Sequence, residues 1–320
     1  MNSRPMTFFA LKGSRPFAER VAERLGVPIA PHEERRFEDG EHKARPLQSV
    51  RGHDAFVLHS LYGDEDESAN DKLCRLLFFC GALRDAGAAG VTVVTPYLCY
   101  ARKDRRTKPS DPVTTRYVAV LLEAIGIDRV IAVEVHNVAA FENAFRCPTI
   151  HIECAPLLAA HFAPLLRGED VVAVSPDAGG AKREERFRQE LQLLVGNWVG
   201  SAFMEKSRSG GVVSGDLLSG NVRGKVAVIV DDLISTGGTL VRAAKACRAA
   251  GATKVLTAAA HGLFMGGSPE LIAEPALDGI VVTNTVPLFR LPAAAASKRV
   301  EVIDASDAVA AAISSCSDAI

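Results

Sequence analysis

Three absences narrow what this chain can be. It has almost no net charge, since 37 Lys and Arg stand against 38 Asp and Glu and leave a formal −1. Nothing in that balance favours nucleic acid or a lipid surface as partner, so any phosphate must be held by a local site. Its seven cysteines (Cys74, Cys80, Cys99, Cys147, Cys154, Cys247 and Cys316) are odd in number and scattered, with no C-x-x-C pair and no zinc-type spacing. Reduced, mostly buried thiols in a cytoplasmic protein are the simplest reading. No run approaches the ~20 apolar residues that cross a bilayer, and the apolar stretch at the start is too short for a signal peptide.

What is present points to a globular α/β protein. The 320 residues, 48% of them hydrophobic, suffice for two ordinary domains. Residues 55–60, 91–97 and 129–136 read as buried strands, with helices between them over 69–86 and 114–125. Each helix is stopped by a glycine, Gly87 or Gly126, as a left-handed cap requires. The pattern then restarts, with strands expected over 170–177, 197–206, 225–232 and 253–261. Two similar halves meeting near residue 153 follow, while "PAAAASKRV" reads as a loop or short helix.

The most informative stretch is "VAVIVDDLISTGGTL", residues 226–240. A parallel sheet offers the carboxyl ends of its strands to ligands, so Asp231 and Asp232 are expected at the mouth of a crevice. Ser235, Thr236, Gly237, Gly238 and Thr239 then turn tightly into a helix whose N-terminus favours an anion. A diol on the carboxylates and a phosphate in the loop would suit a sugar phosphate. Either Asp-Asp or Gly-Gly alone would be an ordinary acidic turn; their coincidence with the end of a buried strand favours the ligand.

This block resembles the ribose-5-phosphate loop shared by phosphoribosyltransferases and phosphoribosyl pyrophosphate (PRPP) synthetases. Four further blocks resemble the synthetases, and the likeness runs from about Lys12 to Val286. "RRFEDGE" is similar to their F-x-D-G-E hairpin, which implies Phe37 stacked on adenine with Asp39 and Glu41 hydrogen-bonding it or its surroundings. "TPYLCYARKDRR" is similar to their Y-A-R-Q-D block and implies ATP phosphates held by Arg102 and Lys103, with Asp104 beside them. Lys103 departs from the usual Gln. "VEVHN" resembles the D-L-H block and implies His136 at a metal–ATP site, with Glu134 in place of Asp. "VSPDAGGAKR" implies Asp177 as a metal ligand, although a capped helix start would also explain it. The pair Lys206 and Arg208 in "FMEKSRSG" matches the synthetases' K-x-R, which stabilises the transferring group.

The resemblance implies two similar doubly wound, mainly parallel-sheet α/β domains of the type I phosphoribosyltransferase-like fold. Residues 1–153 would bind ATP and 154–304 ribose 5-phosphate, with a helix near 305–316 packing back on the first. It implies Mg²⁺ as cofactor and a homo-oligomer in which the hairpin reaches a neighbour's site. The activity implied is diphosphoryl transfer from ATP to ribose 5-phosphate, with Arg102, Lys206 and Arg208 as catalytic cations. Ser235 stands where many members carry a carboxylate. A non-catalytic regulator that associates with active synthetases, or a PRPP-binding protein related to phosphoribosyltransferases, remains open beside it.

Overall fold

The computed structural model describes residues 4–209 and 212–318, without the side chains of 206–209, 212–216, 295–297 and 317–318. It divides into two units, Met1–Ile152 with Ser306–Ile320, and Glu153–Ala305.

The first unit runs β1 (Met6–Ala10), α1 (Arg15–Leu25), β2 (His32–Arg36), β3 (His42–Pro46), β4 (Asp54–Leu58), α2 (Ala69–Asp85), β5 (Gly90–Thr95), α3 (Thr114–Ala124), β6 (Arg129–Val133), α4 (Val138–Ala144) and β7 (Thr149–Ile152). Its five-stranded sheet has the order β1-β4-β5-β6-β7, parallel throughout. The strands read as unbroken apolar runs because helices cover both faces of such a sheet. Phe9, Val57, Leu76, Phe79, Val93 and Val130 are central to this core. Helix α2 starts on a reciprocal cap between Ser68 and Asp71. Both glycine stops are left-handed, Gly87 at φ 87° and Gly126 at φ 91°.

The second unit runs α5 (Ala155–Leu166), β8 (Val171–Ser175), a single 3₁₀ turn (Ala178–Gly180), α6 (Ala181–Val195), β9 (Val199–Ser209), β10 (Val212–Ser219), β11 (Val226–Ile234), α7 (Gly238–Ala249), β12 (Lys254–Gly262), α8 (Pro269–Ala273), β13 (Gly279–Thr283), α9 (Ala293–Arg299) and β14 (Val300–Ile303). The "PAAAASKRV" stretch is thus helical over α9. The seven-stranded sheet has the order β10-β9-β8-β11-β12-β13-β14, and only the β9–β10 pair is antiparallel. After β8 the chain builds first to one side and then returns to the other with β11. The carboxyl ends of β8 and β11 therefore flank a topological switch point. The last helix, α10 (Ser306–Asp318), lies in the first unit against α1 and β7 and pairs Asp307 with Arg24.

Candidate active site

Strand β11 continues past the position where the sequence pattern ends it. The expected strand ends at Asp232, and β11 runs two residues further because β12 is long enough to carry the ladder to Ile234↔Gly262, so Asp231 and Asp232 lie inside it. On the other side the ladder with β8 stops at Val174↔Ile229, so the two carboxylates stand where β8 has already ended. Asp231 Oδ1 accepts the Asp232 N–H at 2.9 Å. Arg183, on the first turn of α6, brings a guanidinium nitrogen to 3.7 Å from Asp231 Oδ1 and 3.9 Å from Asp232 Oδ1. Desolvation, followed by the adjacent Asp232 charge, pushes the Asp231 carboxyl well above the ordinary carboxylate range; Arg183 only partly offsets this. Paired carboxylates at a strand's carboxyl end can accept hydrogen bonds from the hydroxyls of a sugar.

The turn that follows is held mainly by backbone. The Ser235 carbonyl accepts from Met265 N–H at 2.9 Å and from Ser268 Oγ at 3.0 Å. Gly237 has φ 85°, and a Cβ there would meet Leu271 Cβ at 2.7 Å. Gly238, which opens α7, has nothing within 4 Å of its Cβ position. The protein's own packing thus demands glycine at 237 and leaves open space at 238. Thr236 is exposed and Thr239 half-buried, with Thr239 Oγ1 3.5 Å from Arg242. No side chain caps α7 and no acid lies in its first turn, so its N–H groups favour an anion.

Asp177 follows β8, and its Oδ1 accepts from Gly179 N–H at 2.8 Å and Gly180 N–H at 3.1 Å. One carboxylate oxygen is therefore the cap of the 3₁₀ turn, and the other is outside it. Strand β9 pairs with β8 as far as Ser175↔Phe203 and then runs on, antiparallel to β10, through Lys206 and Arg208. Both positions lie beyond the carboxyl end of β8, on the same rim as Asp177; their side chains lie outside the described residues.

In the first unit, the hairpin β2–β3 turns through residues 37–41, closed by Phe37 N–H to Glu41 O at 2.7 Å. Asp39 Oδ1 accepts the Glu41 N–H at 3.0 Å, and the Arg35 guanidinium sits 4.9 Å from the centre of the half-buried Phe37 ring. Glu41 is exposed. The basic loop follows β5, and the His136 loop follows β6, its neighbour in the sheet. Asn137 joins the two, donating to Asp104 Oδ2 at 2.7 Å while capping α4. His136 is exposed, and Glu134 is buried with a left-handed φ of 38°. Arg102 is exposed, whereas Lys103 Nζ is engaged by Asp111 Oδ2 at 2.7 Å. Three residues that complete these arrangements, Arg183, Asn137 and Asp111, have no role assigned from sequence. Arg183 and Asn137 each carried a signal, as the residues that close "VSPDAGGAKR" and "VEVHN".

As a class, two mainly parallel-sheet α/β units, the second with a strand-order switch beside paired carboxylates, belong to the type I phosphoribosyltransferase-like fold. The family model for the N-terminal domain of ribose phosphate pyrophosphokinase matches residues 6–126, and that for the phosphoribosyl synthetase-associated domain matches residues 215–318. Ribose-phosphate pyrophosphokinase 1 of Streptococcus pyogenes serotype M3 is 35% identical over 314 residues, 98% of this chain and 95% of that protein. The ribose-phosphate pyrophosphokinase of Fusobacterium nucleatum is 34% identical over 290 residues, 90% of this chain and 88% of its own. The crystal structure of phosphoribosylpyrophosphate synthetase from Mycobacterium smegmatis superposes with a TM-score of 0.89 at 30% identity, covering 99% of this chain and 100% of that one. The chain belongs to the ribose-phosphate pyrophosphokinase family.

Proposed function

We propose that the protein is a Mg²⁺-dependent ribose-phosphate diphosphokinase, which converts ATP and ribose 5-phosphate to PRPP and AMP. The observation that carries this reading is the adjacent Asp231–Asp232 carboxylate pair, followed by the uncapped N-terminus of α7, at the switch point of the second sheet. In this reading Asp231 and Asp232 take the ribose hydroxyls, and residues 235–239 take the 5-phosphate. Phe37, Asp39 and Glu41 take adenine, and Arg102, with its loop and His136, takes the triphosphate.

The anomeric hydroxyl oxygen attacks the β-phosphorus in line. The bond from that phosphorus to the oxygen bridging the α-phosphate breaks, AMP leaves, and the hydroxyl proton passes to solvent. No covalent bond to the protein forms. Catalysis is then positioning and neutralisation of charge on the phosphoryl oxygens, the task of Arg102, Lys206 and Arg208. In the first unit the His136 ring, and in the second the Asp177 oxygen outside the cap, would each offer Mg²⁺ a ligand, and the ion when bound would add positive charge at the phosphates. Among the described residues no cluster of three His, Cys, Asp or Glu could hold a metal.

We further propose a homo-oligomer, the hairpin reaching a neighbour's site. Five of the seven cysteines are buried free thiols, which fits the reducing cytoplasm. A non-catalytic partner of active synthetases is the second reading, favoured by Ser235 at a position where many members carry a carboxylate.

Incubation with ribose 5-phosphate, ATP and Mg²⁺ should yield AMP and PRPP, and EDTA should abolish the turnover. Formation of ADP, or no turnover by a folded protein, would exclude diphosphoryl transfer. Lys206→Ala and Arg208→Ala should each lower kcat about a hundred- to a thousandfold, with ribose 5-phosphate affinity largely kept. Near-normal turnover would remove both from catalysis.

A further inference from the structure

The loop between β5 and α3 divides its cations into two kinds. Asp111 Oδ2 gathers four donors, namely Lys103 Nζ at 2.7 Å, Thr107 Oγ1 at 2.7 Å, Thr107 N–H at 3.0 Å and Lys108 N–H at 3.0 Å. The Arg106 Nε donates to the Asp111 carbonyl at 3.2 Å. Lys103 is held along its backbone as well. Its N–H reaches the Tyr100 carbonyl at 3.3 Å, and its own carbonyl accepts from Thr115 N–H at 3.3 Å and Thr115 Oγ1 at 3.2 Å. Thr115 is buried in the first turn of α3. Tyr100, at φ 61°, starts the turn. By contrast Arg102 and Arg105 are exposed, and no acidic partner reaches either among the described residues.

We propose that Lys103 is a positioning residue: with Asp111 it closes residues 100–115 into a pre-formed ring that presents Arg102 and Arg105 to the triphosphate of ATP. This rests on the ATP reading of the loop given above. It replaces the role implied by resemblance, in which Lys103 itself holds phosphate. To do that, the ammonium would have to leave Asp111, which would keep its Thr107 and Lys108 donors but lose its counter-charge beside an incoming polyanion, and Coulomb repulsion opposes this. Kept in place, the pair orders the loop before ATP arrives, so that less conformational freedom is lost on binding. The ion pair is partly exposed, at 34% and 23% for the two side chains, so its own strength is modest and its effect should be modest too.

The two roles differ in sign at one position. If Lys103 is a phosphate ligand or a simple source of positive potential, Lys103→Gln weakens ATP binding and Asp111→Asn strengthens it. If the pair positions the loop, both weaken it. The experiment is a double-mutant cycle of Lys103→Gln and Asp111→Asn. It reads MgATP affinity by calorimetry, and amide hydrogen exchange of residues 100–115 in the ligand-free protein. Each single variant should lose about two- to fivefold in affinity and exchange faster in the loop, and the double variant should be no worse than the weaker single one. Additive losses, tighter binding by Asp111→Asn, or unchanged loop exchange in both single variants would overturn the proposal. The exchange measurement uses no nucleotide. A wild-type protein that shows loop protection but binds no ATP would therefore sink the ATP reading and leave the ordering role of the pair standing.

Discussion

Carboxylates near the strand ends are treated in opposite ways in the two units. In the first they are matched with cations. Asp64, despite the cost of its burial, is held low by Lys72, Glu67 is held low by the Arg75 guanidinium, and Asp111 by the Lys103 ammonium and the Thr107 and Lys108 donors. In the second, burial pushes the Asp231 carboxyl up and the adjacent Asp232 adds to it. Burial likewise pushes Glu184 up to about 7; the Ser201 hydroxyl reaches one of its oxygens at 3.1 Å, and the other has no partner. Charges satisfied by the chain itself fix a loop's shape. Carboxylates that burial and a like charge hold away from their ordinary state mark a functional site more than a structural one, and here they fall at the switch point of the second sheet.

The comparison is broken most severely at the glycines of the second unit. Gly237→Ala should destabilise the protein by about 2–4 kcal/mol, combining a left-handed backbone with overlap on Leu271. Gly238→Ala meets nothing in the ligand-free protein, so the melting temperature should hold or rise, by up to about 1 kcal/mol of stability. Its ribose 5-phosphate affinity, read by calorimetry, should nevertheless fall. Wild-type affinity in a stable Gly238→Ala protein would show that the loop does not grip the phosphate.

A smaller effect concerns the protonation of Asp231. Its folded-state value lies above that of an unfolded aspartate, so the stability it contributes is fully present at acid pH and is lost as pH rises through the raised value. Asp231→Asn removes that loss. Melting curves should show the variant gaining on wild type with rising pH in ligand-free protein, and a gap that stays constant across the series would argue against the strained pair.

The smallest expected effect is at Glu184, 3% exposed, where the same sign applies between the usual value of 4.5 and about 7. Glu184→Gln keeps a partner for Ser201 and removes the ionisation. Wild type should lose stability relative to the variant as pH rises through that window, and parallel curves would place the carboxyl in a wetter setting than its burial implies.

Much of this was legible locally. The apolar runs predicted β4, β5, β6, β8, β11 and β12, the resemblance of "RRFEDGE" implied the hairpin, and Gly87 and Gly126 marked two helix ends. Boundaries were less legible: a strand's end depends on its neighbour's length, and β12 carries β11 past the expected end at residue 232 to Ile234. The antiparallel edge strand β10 had no comparable signal in its mixed "VVSGDLLS" sequence.

By itself, the sequence determined the elements, the glycine turns and the order of its recognisable blocks, because backbone preference and apolar periodicity act over a few residues. Only the tertiary structure decided which charges meet. Arg183 reaches Asp231 and Asp232 because β9 and β10 are built outward before β11 returns beside β8. Lys103 meets Asp111 because Thr115, anchored in α3, folds the loop back on itself. Such meetings depend on strand order and loop closure, and no local propensity encodes either.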